Sequence, residues 1–212
     1  MAPPPTSSAH GGLPAPVPPG LSPFTCAAVT LPACRTVLQR LTGDDLSRPT
    51  PCAGYTVGDV GEHLARSMVL LASVAGERVD SPVAGTLEEK VAATAEAALA
   101  AWRLRGLDGT VAVGRSVLPA SLAVEIIPLE LLVHGWDVAR ATGHRIDVPA
   151  DVAGYVLDRA RELITEDKRG RSFAAEVPTG PDAAVLDRLI AFTGRAPLAA
   201  LSLIRPVSWR SR

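Results

Sequence analysis

A chain of 212 residues with 47% hydrophobic content is long enough to bury one sizeable core and has the composition of a globular domain. Its 21 Lys and Arg against 22 Asp and Glu leave a net charge of −1, so no overall field draws phosphate backbones or anionic lipid. Aromatic residues make up only 4%, too few for the stacking platforms of single-strand binders, so a small-molecule substrate is expected rather than nucleic acid or membrane.

Cys26, Cys34 and Cys52 are odd in number and show no CxxC spacing, which fits a reducing compartment better than a disulfide framework. No Lys or Arg precedes Arg35 and no uninterrupted apolar run follows the start, so a secretion signal is not expected and the chain reads as cytoplasmic. The apolar stretch from Leu122 to Trp136 is broken by Glu125, Pro128, Glu130 and His134, which argues against a membrane span. Basic residues are almost all Arg and Ala is abundant, a bias that suggests a GC-rich genome.

Residues 1–22 are rich in Pro, Gly and Ser and predict a disordered leader. From Pro23 to about Leu41, Leu31, Cys34, Leu38 and Leu41 recur at helical steps, with Pro32 as a kink or a late start. Pro49, Pro51 and Gly54 then form a tight connection. Thr56 with Asp59 reads as an N-cap and its acidic N3 partner, and Val60, His63, Ser67, Leu70 and Val74 are expected to share one face, turning His63 inward.

Leu87, Val91, Ala95, Ala98 and Trp102 predict a third helix over about 86–105. The run TVAVGRSVLP alternates around Gly114 and predicts a short hairpin or extended crossover. A fourth helix is expected from about Ala120 to Thr142, bent near Pro128 and stopped by Gly143, and a fifth from Pro149 through about Ile164. The stretch EDKRGRSFAAEVPTGPD predicts a surface loop with the character of a lid, followed by a last helix over Asp182–Phe192. The expected organisation is one domain over 23–204 and a basic tail over 205–212.

Glu130 and His134 are four residues apart, so on a helix they lie on one side and can hold a single ion. Ile126, Ile127, Leu129, Leu131, Leu132 and Val133 surround them, a density that buries the helix nearly all round. A buried carboxylate and imidazole need compensation. A divalent cation supplies it, with His63 from a second helix as third ligand and a position left open for water or substrate. Zinc is the first choice, while nickel, iron(II) and manganese accept similar donors. The residues also allow a hydrogen-bonded Glu–His pair in the core, with His63 on a backbone carbonyl.

Around this trio, Asp137 follows His134 by three residues and either orients a ligand or pairs with Arg140 on the surface. Asp59 either holds the second ring nitrogen of His63 or serves only its cap. Trp136 and Tyr55 are candidates for pocket walls or core packing, and Cys52, with no basic neighbour in sequence, reads as a small buried thiol. His144 is expected to be exposed and His10 lies in the leader, so neither is a ligand candidate.

Three blocks, PTPCAGYTVGDVGEHLA, LELLVHGWDVARATG and AAVLDRLIAFTGRAP, resemble the actinobacterial metal-binding proteins of the DinB-like superfamily, and in particular the metal-binding domain of mycothiol-dependent maleylpyruvate isomerase. The resemblance spans nearly everything after the leader. It implies an all-α fold: a four-helix bundle with one central metal, held by a His of the second helix and a Glu-x-x-x-His pair of the fourth, which fall on His63, Glu130 and His134. It implies also that the metal lowers the pKa of a low-molecular-weight thiol, mycothiol or a relative, for transfer to an electrophile. Tyr55 stands where relatives commonly carry Trp, and the isomerase's separate C-terminal domain is not expected here. The leading expectation is a metal-dependent thiol transferase or isomerase. The rivals are a thiol-independent Lewis-acid isomerase, cyclase or hydrolase and a non-catalytic metal-binding module.

Overall fold

Ser22 sets the first helix. Its side chain accepts from the Thr25 backbone N–H while Thr25 Oγ1 accepts from the Ser22 N–H, a reciprocal cap that opens α1 (Pro23–Leu38). In the computed structural model, residues 20–170 and 172–197 are described; most of the expected leader and the whole basic tail lie outside the described residues. Helix α1 runs through Pro32 without a late start. The bond lost there is to the carbonyl of Ala28, on the exposed side of the helix, where water can take the donor's place.

Thr56 caps α2 (Val57–Val74) with Asp59 as expected, and Thr86 caps α3 (Leu87–Arg105) with Glu89 in the same way. Each such cap contributes about 1 kcal/mol. The buried face of α2 is Val57, Val60, Leu64, Met68 and Leu71 rather than the face expected. Leu70 is 51% exposed, and His63 and Ser67 are half-buried at the rim. The more continuous apolar stripe won the interior, which left His63 at the edge of the core and not within it.

A two-stranded antiparallel hairpin follows, β1 (Thr110–Val113) against β2 (Ser116–Pro119), with Val111 opposite Leu118 and Gly114 in the turn. The break in the next helix comes earlier than expected. A single turn, α4 (Ala120–Ala123), ends at Val124–Glu125, and α5 (Ile126–Thr142) then begins. Pro128 falls within the first turn of α5, where its missing N–H has no intrahelical partner to lose. Gly143 closes α5 in the left-handed region, φ 73°, as the sequence indicates.

Helices α1, α2, α3 and α5 form a four-helix bundle in which α1 packs on α5 and α3, and α2 on α3 and α5. The fold is thus all-α and DinB-like, with the hairpin and later helices added. Helix α5 is the most deeply placed element, with Ile127, Leu131 and Leu132 fully buried. Buried Glu88 ties α3 to α1, accepting from Arg35 Nε at 2.6 Å and Gln39 Nε2 at 3.2 Å.

Pro149 precedes α6 (Ala150–Leu163), and a loop leads to α7 (Val185–Phe192), which begins three residues later than expected because Gly180–Ala183 closes a turn first. α7 packs against α6. The loop is tied down by Arg169, whose guanidinium donates to the carbonyls of Ala174 and Phe192 at 2.9 and 2.7 Å. Among the described residues no helix is long and apolar enough to cross a membrane.

Candidate metal centre

The face of α5 that carries Glu130 and His134 meets the rim of α2 that carries His63. Glu130 Oε2 lies 3.1 Å from His63 Nε2 and 3.7 Å from His134 Nε2, and the donor atoms of all three residues lie within 4.8 Å of one another. The two imidazoles stand edge to face, ring centroids 4.9 Å apart at 78°. An ion about 2.1 Å from each of two donors at a tetrahedral angle spaces them about 3.4 Å apart, and the observed separations bracket that value.

His134 is almost fully buried, and its Nδ1 lies 3.0 Å from Asp137 Oδ2. A carboxylate only accepts, so Nδ1 carries the hydrogen and donates it to Asp137, which turns Nε2 toward the cavity. Nε2 faces Glu130 Oε2 across 3.7 Å. The two atoms are reconciled by a proton on Nε2 or by a metal cation held between them. Burial works to raise the Glu130 carboxyl, but attraction to the His134 and His63 imidazoles and hydrogen bonds from His63 and Ser67 outweigh it and hold the group down at about 2. The donor set fits a divalent metal: two imidazoles and an ionised carboxylate.

Asp137 is fully buried, which corrects the reading of it as a surface partner of Arg140. Arg195 reaches it from beyond α7, with Nε to Oδ1 and Nη2 to Oδ2 both at 2.7 Å. This bidentate pair fixes the Asp137 side chain with its Oδ2 aimed at His134. Sequence reasoning did not single out Arg195: it follows the last helix, where no periodicity applies, and 58 residues separate it from its partner. Gly194 enables the approach, since its φ is 85° and a Cβ there would sit 2.9 Å from the backbone of Ala174.

The remaining candidates divide. Asp59 serves its cap, bonding Thr56 N and Oγ1 at 2.9 and 2.6 Å, while His63 turns to Glu130 and Ser67. Tyr55 stands at the site, its ring centroid 5.9 Å from that of His63, whereas Trp136 packs in the core. His144 is half-buried, not exposed as expected, and is remote from the trio beside Asp45; His10 lies outside the described residues.

Cys52 does have a basic partner, one brought by the fold: burial pushes its thiol up, while the charge of Arg195 and a hydrogen bond to it pull the other way. Cys52, His134 and Asp137 also bring donor atoms within 4.8 Å of one another. The Arg195 guanidinium already occupies that cluster, so a second cation there would meet a positive charge, and the His63–Glu130–His134 trio is the better-suited donor set.

A cavity of about 730 Å³ opens onto the trio. His63, Glu130 and His134 form its floor, Leu129, Val133, Tyr55 and Phe173 give it apolar walls, and Cys52, Thr193 and Arg195 complete it.

Residues 31–139, just over half of the 212, match the family described as mycothiol maleylpyruvate isomerase N-terminal domain. Two uncharacterized proteins of Mycobacterium tuberculosis, from strains CDC 1551 / Oshkosh and ATCC 25618 / H37Rv, are each 29% identical over 169 residues, which cover 77% of this chain and 92% of theirs. No solved structure is a significant match. The matched segment holds all of His63, Glu130, His134 and Asp137, while Arg195 and Phe173 lie outside it. On these grounds the chain belongs to the family of mycothiol maleylpyruvate isomerase N-terminal domains.

Proposed function

We propose that this protein is a metal-dependent enzyme that activates a low-molecular-weight thiol of the mycothiol type for transfer to a small electrophile. The observation that carries the reading is the convergence of His63 Nε2 and His134 Nε2 on Glu130 Oε2, at 3.1 and 3.7 Å, at the wall of an open cavity. His63, Glu130 and His134 would hold one divalent ion, zinc as the first choice. Such an ion, when bound, lowers the pKa of a coordinated thiol so that the nucleophilic thiolate is present near neutral pH.

The chain's own groups supply the rest. Asp137 accepts a hydrogen bond from His134 Nδ1–H and so turns Nε2 toward the site as a ligand atom; Arg195 fixes Asp137. Glu130 stays ionised far below neutral pH and contributes the compensating negative charge. Leu129, Val133 and Phe173 offer an apolar wall that excludes water from the nucleophile and seats the electrophile against it. The family's link with mycothiol supports the choice of thiol, and the three-ligand floor with cavity above it supports catalysis over a closed structural site.

The test is to incubate zinc-loaded protein with mycothiol and a panel of small electrophiles. Thiol consumption above that of the metal-stripped protein is expected. Equal consumption in both would remove the thiol reading, and turnover of a substrate in thiol-free buffer would put a Lewis-acid reaction in its place.

A further inference from the structure

On the other side of α5's first turn lies a buried acid that the metal centre does not use. Glu125, the residue before α5, is 4% exposed and sits between α1 and α6. One carboxyl oxygen, Oε1, accepts a hydrogen bond from the Tyr155 hydroxyl. The other, Oε2, is buried with no hydrogen-bond partner among the described residues, and the same is true of Arg159 Nε. Arg159 instead gives its Nη2 to Glu162 Oε1 at 2.9 Å, and its guanidinium carbon lies 5.7 Å from the centroid of the Tyr155 ring. An orphaned acceptor and an orphaned donor thus share one cluster without meeting.

We infer that Glu125, Tyr155 and Arg159 form a proton-operated latch between the head of α5 and α6. With Glu125 protonated, the carboxyl carries no charge for Arg159 to answer: Oε1 keeps the Tyr155 hydrogen bond and Arg159 rests on Glu162, the arrangement observed. When Glu125 releases its proton, a buried carboxylate with one bare oxygen is left beside a guanidinium with one bare N–H, and Arg159 exchanges Glu162 for Glu125. The exchange moves the side of α6 that carries Arg159 relative to α5.

The surroundings place the change near neutral pH. From α6 the charged and titratable groups are Tyr155, Arg159 and Glu162; from α1 the group is Cys26. Burial, the largest influence, and the negative charge of Glu162 push the Glu125 carboxyl up to about 7 against the Tyr155 hydrogen bond and the attraction of Arg159. The Cys26 thiol, pushed up to about 12 mainly by burial, stays neutral and supplies no competing charge; Asp151 acts on Cys26. None of the latch residues lines the metal cavity, so the latch stands apart from the proposed activity.

The test follows the Glu125 carboxyl by carbon-13 NMR in the full chain, its signal assigned by its loss in Glu125→Gln, alongside amide hydrogen exchange along α6. The carboxyl is expected to titrate near neutrality, α6 exchange to change with the same midpoint, and Glu125→Gln to make that exchange insensitive to pH. Glu162→Gln, a change at a partly exposed residue, keeps the fold and frees Arg159, so it should lower the midpoint by about one pH unit. A midpoint near the ordinary 4.5, or α6 exchange that ignores the carboxyl's titration, would overturn the latch. So would an unmoved midpoint in Glu162→Gln, which stands as a test even where Glu125→Gln fails to fold.

Discussion

Arg195 grips Asp137 through two hydrogen bonds of 2.7 Å, joining the segment after the last helix to the centre of the bundle. Because Asp137 Oδ2 also faces His134 Nδ1 at 3.0 Å, the orientation of a proposed metal ligand depends on a residue 61 positions further along the chain.

Asp137→Asn removes the charge that orders this line of contacts. Metal affinity is expected to fall about 10–100-fold while the helical content is kept, measured by competition with a chromogenic chelator. Undiminished affinity would show that His134 is oriented without it.

Arg195→Met strands a fully buried carboxylate, and removing one partner of a buried pair costs about 3–5 kcal/mol. Denaturant unfolding should show that loss. The double variant with Asp137→Asn should recover a large part of it, because both members of the pair are then neutral; additive losses would contradict the coupling.

Gly194→Ala tests the close approach that delivers Arg195. The new Cβ would lie 2.7–2.9 Å from Ala174 atoms at a φ of 85°, so a cost of about 1–3 kcal/mol is expected together with weaker metal binding. A fully stable variant with native metal affinity would show that the loop yields freely.

Much of the frame was legible because it rests on local signals. The Thr56–Asp59 cap, the Gly143 stop and the stripe from Val91 to Trp102 each follow from spacing within a few residues. The Ser22–Thr25 cap is masked by the prolines on both sides of it, and the α4–α5 break falls at Glu125 rather than at Pro128, which the first turn of a helix accommodates. Helical period and burial bring His63, Glu130 and His134 together from sequence alone. They do not bring in Arg195, since only tertiary packing places a loop residue against α5. The same holds for Cys52, whose basic neighbour is absent from its sequence surroundings and present in space.

The buried acid at Glu125 makes a separate statement about pH. Its folded pKa of about 7 lies above the ordinary 4.5, so the folded state holds the extra proton between these values and stability falls as pH rises through that window. The loss approaches about 3 kcal/mol and is complete above the folded value. Glu130, held at about 2, acts oppositely: its contribution is full above 4.5 and is lost as pH falls toward 2. Unfolding curves of Glu125→Gln should therefore be flatter than wild type between about 4.5 and 7 and parallel to it in stronger acid; an unchanged slope in the upper window would contradict the assignment.

The central claim is that His63, Glu130 and His134 jointly hold one divalent cation. Metal analysis by mass spectrometry of wild-type protein beside His134→Ala, both purified without affinity tags that bind metal, addresses it directly. The account predicts about one equivalent of divalent metal per folded wild-type chain and nearly none in the variant. Equal metal content in two equally folded proteins would contradict it.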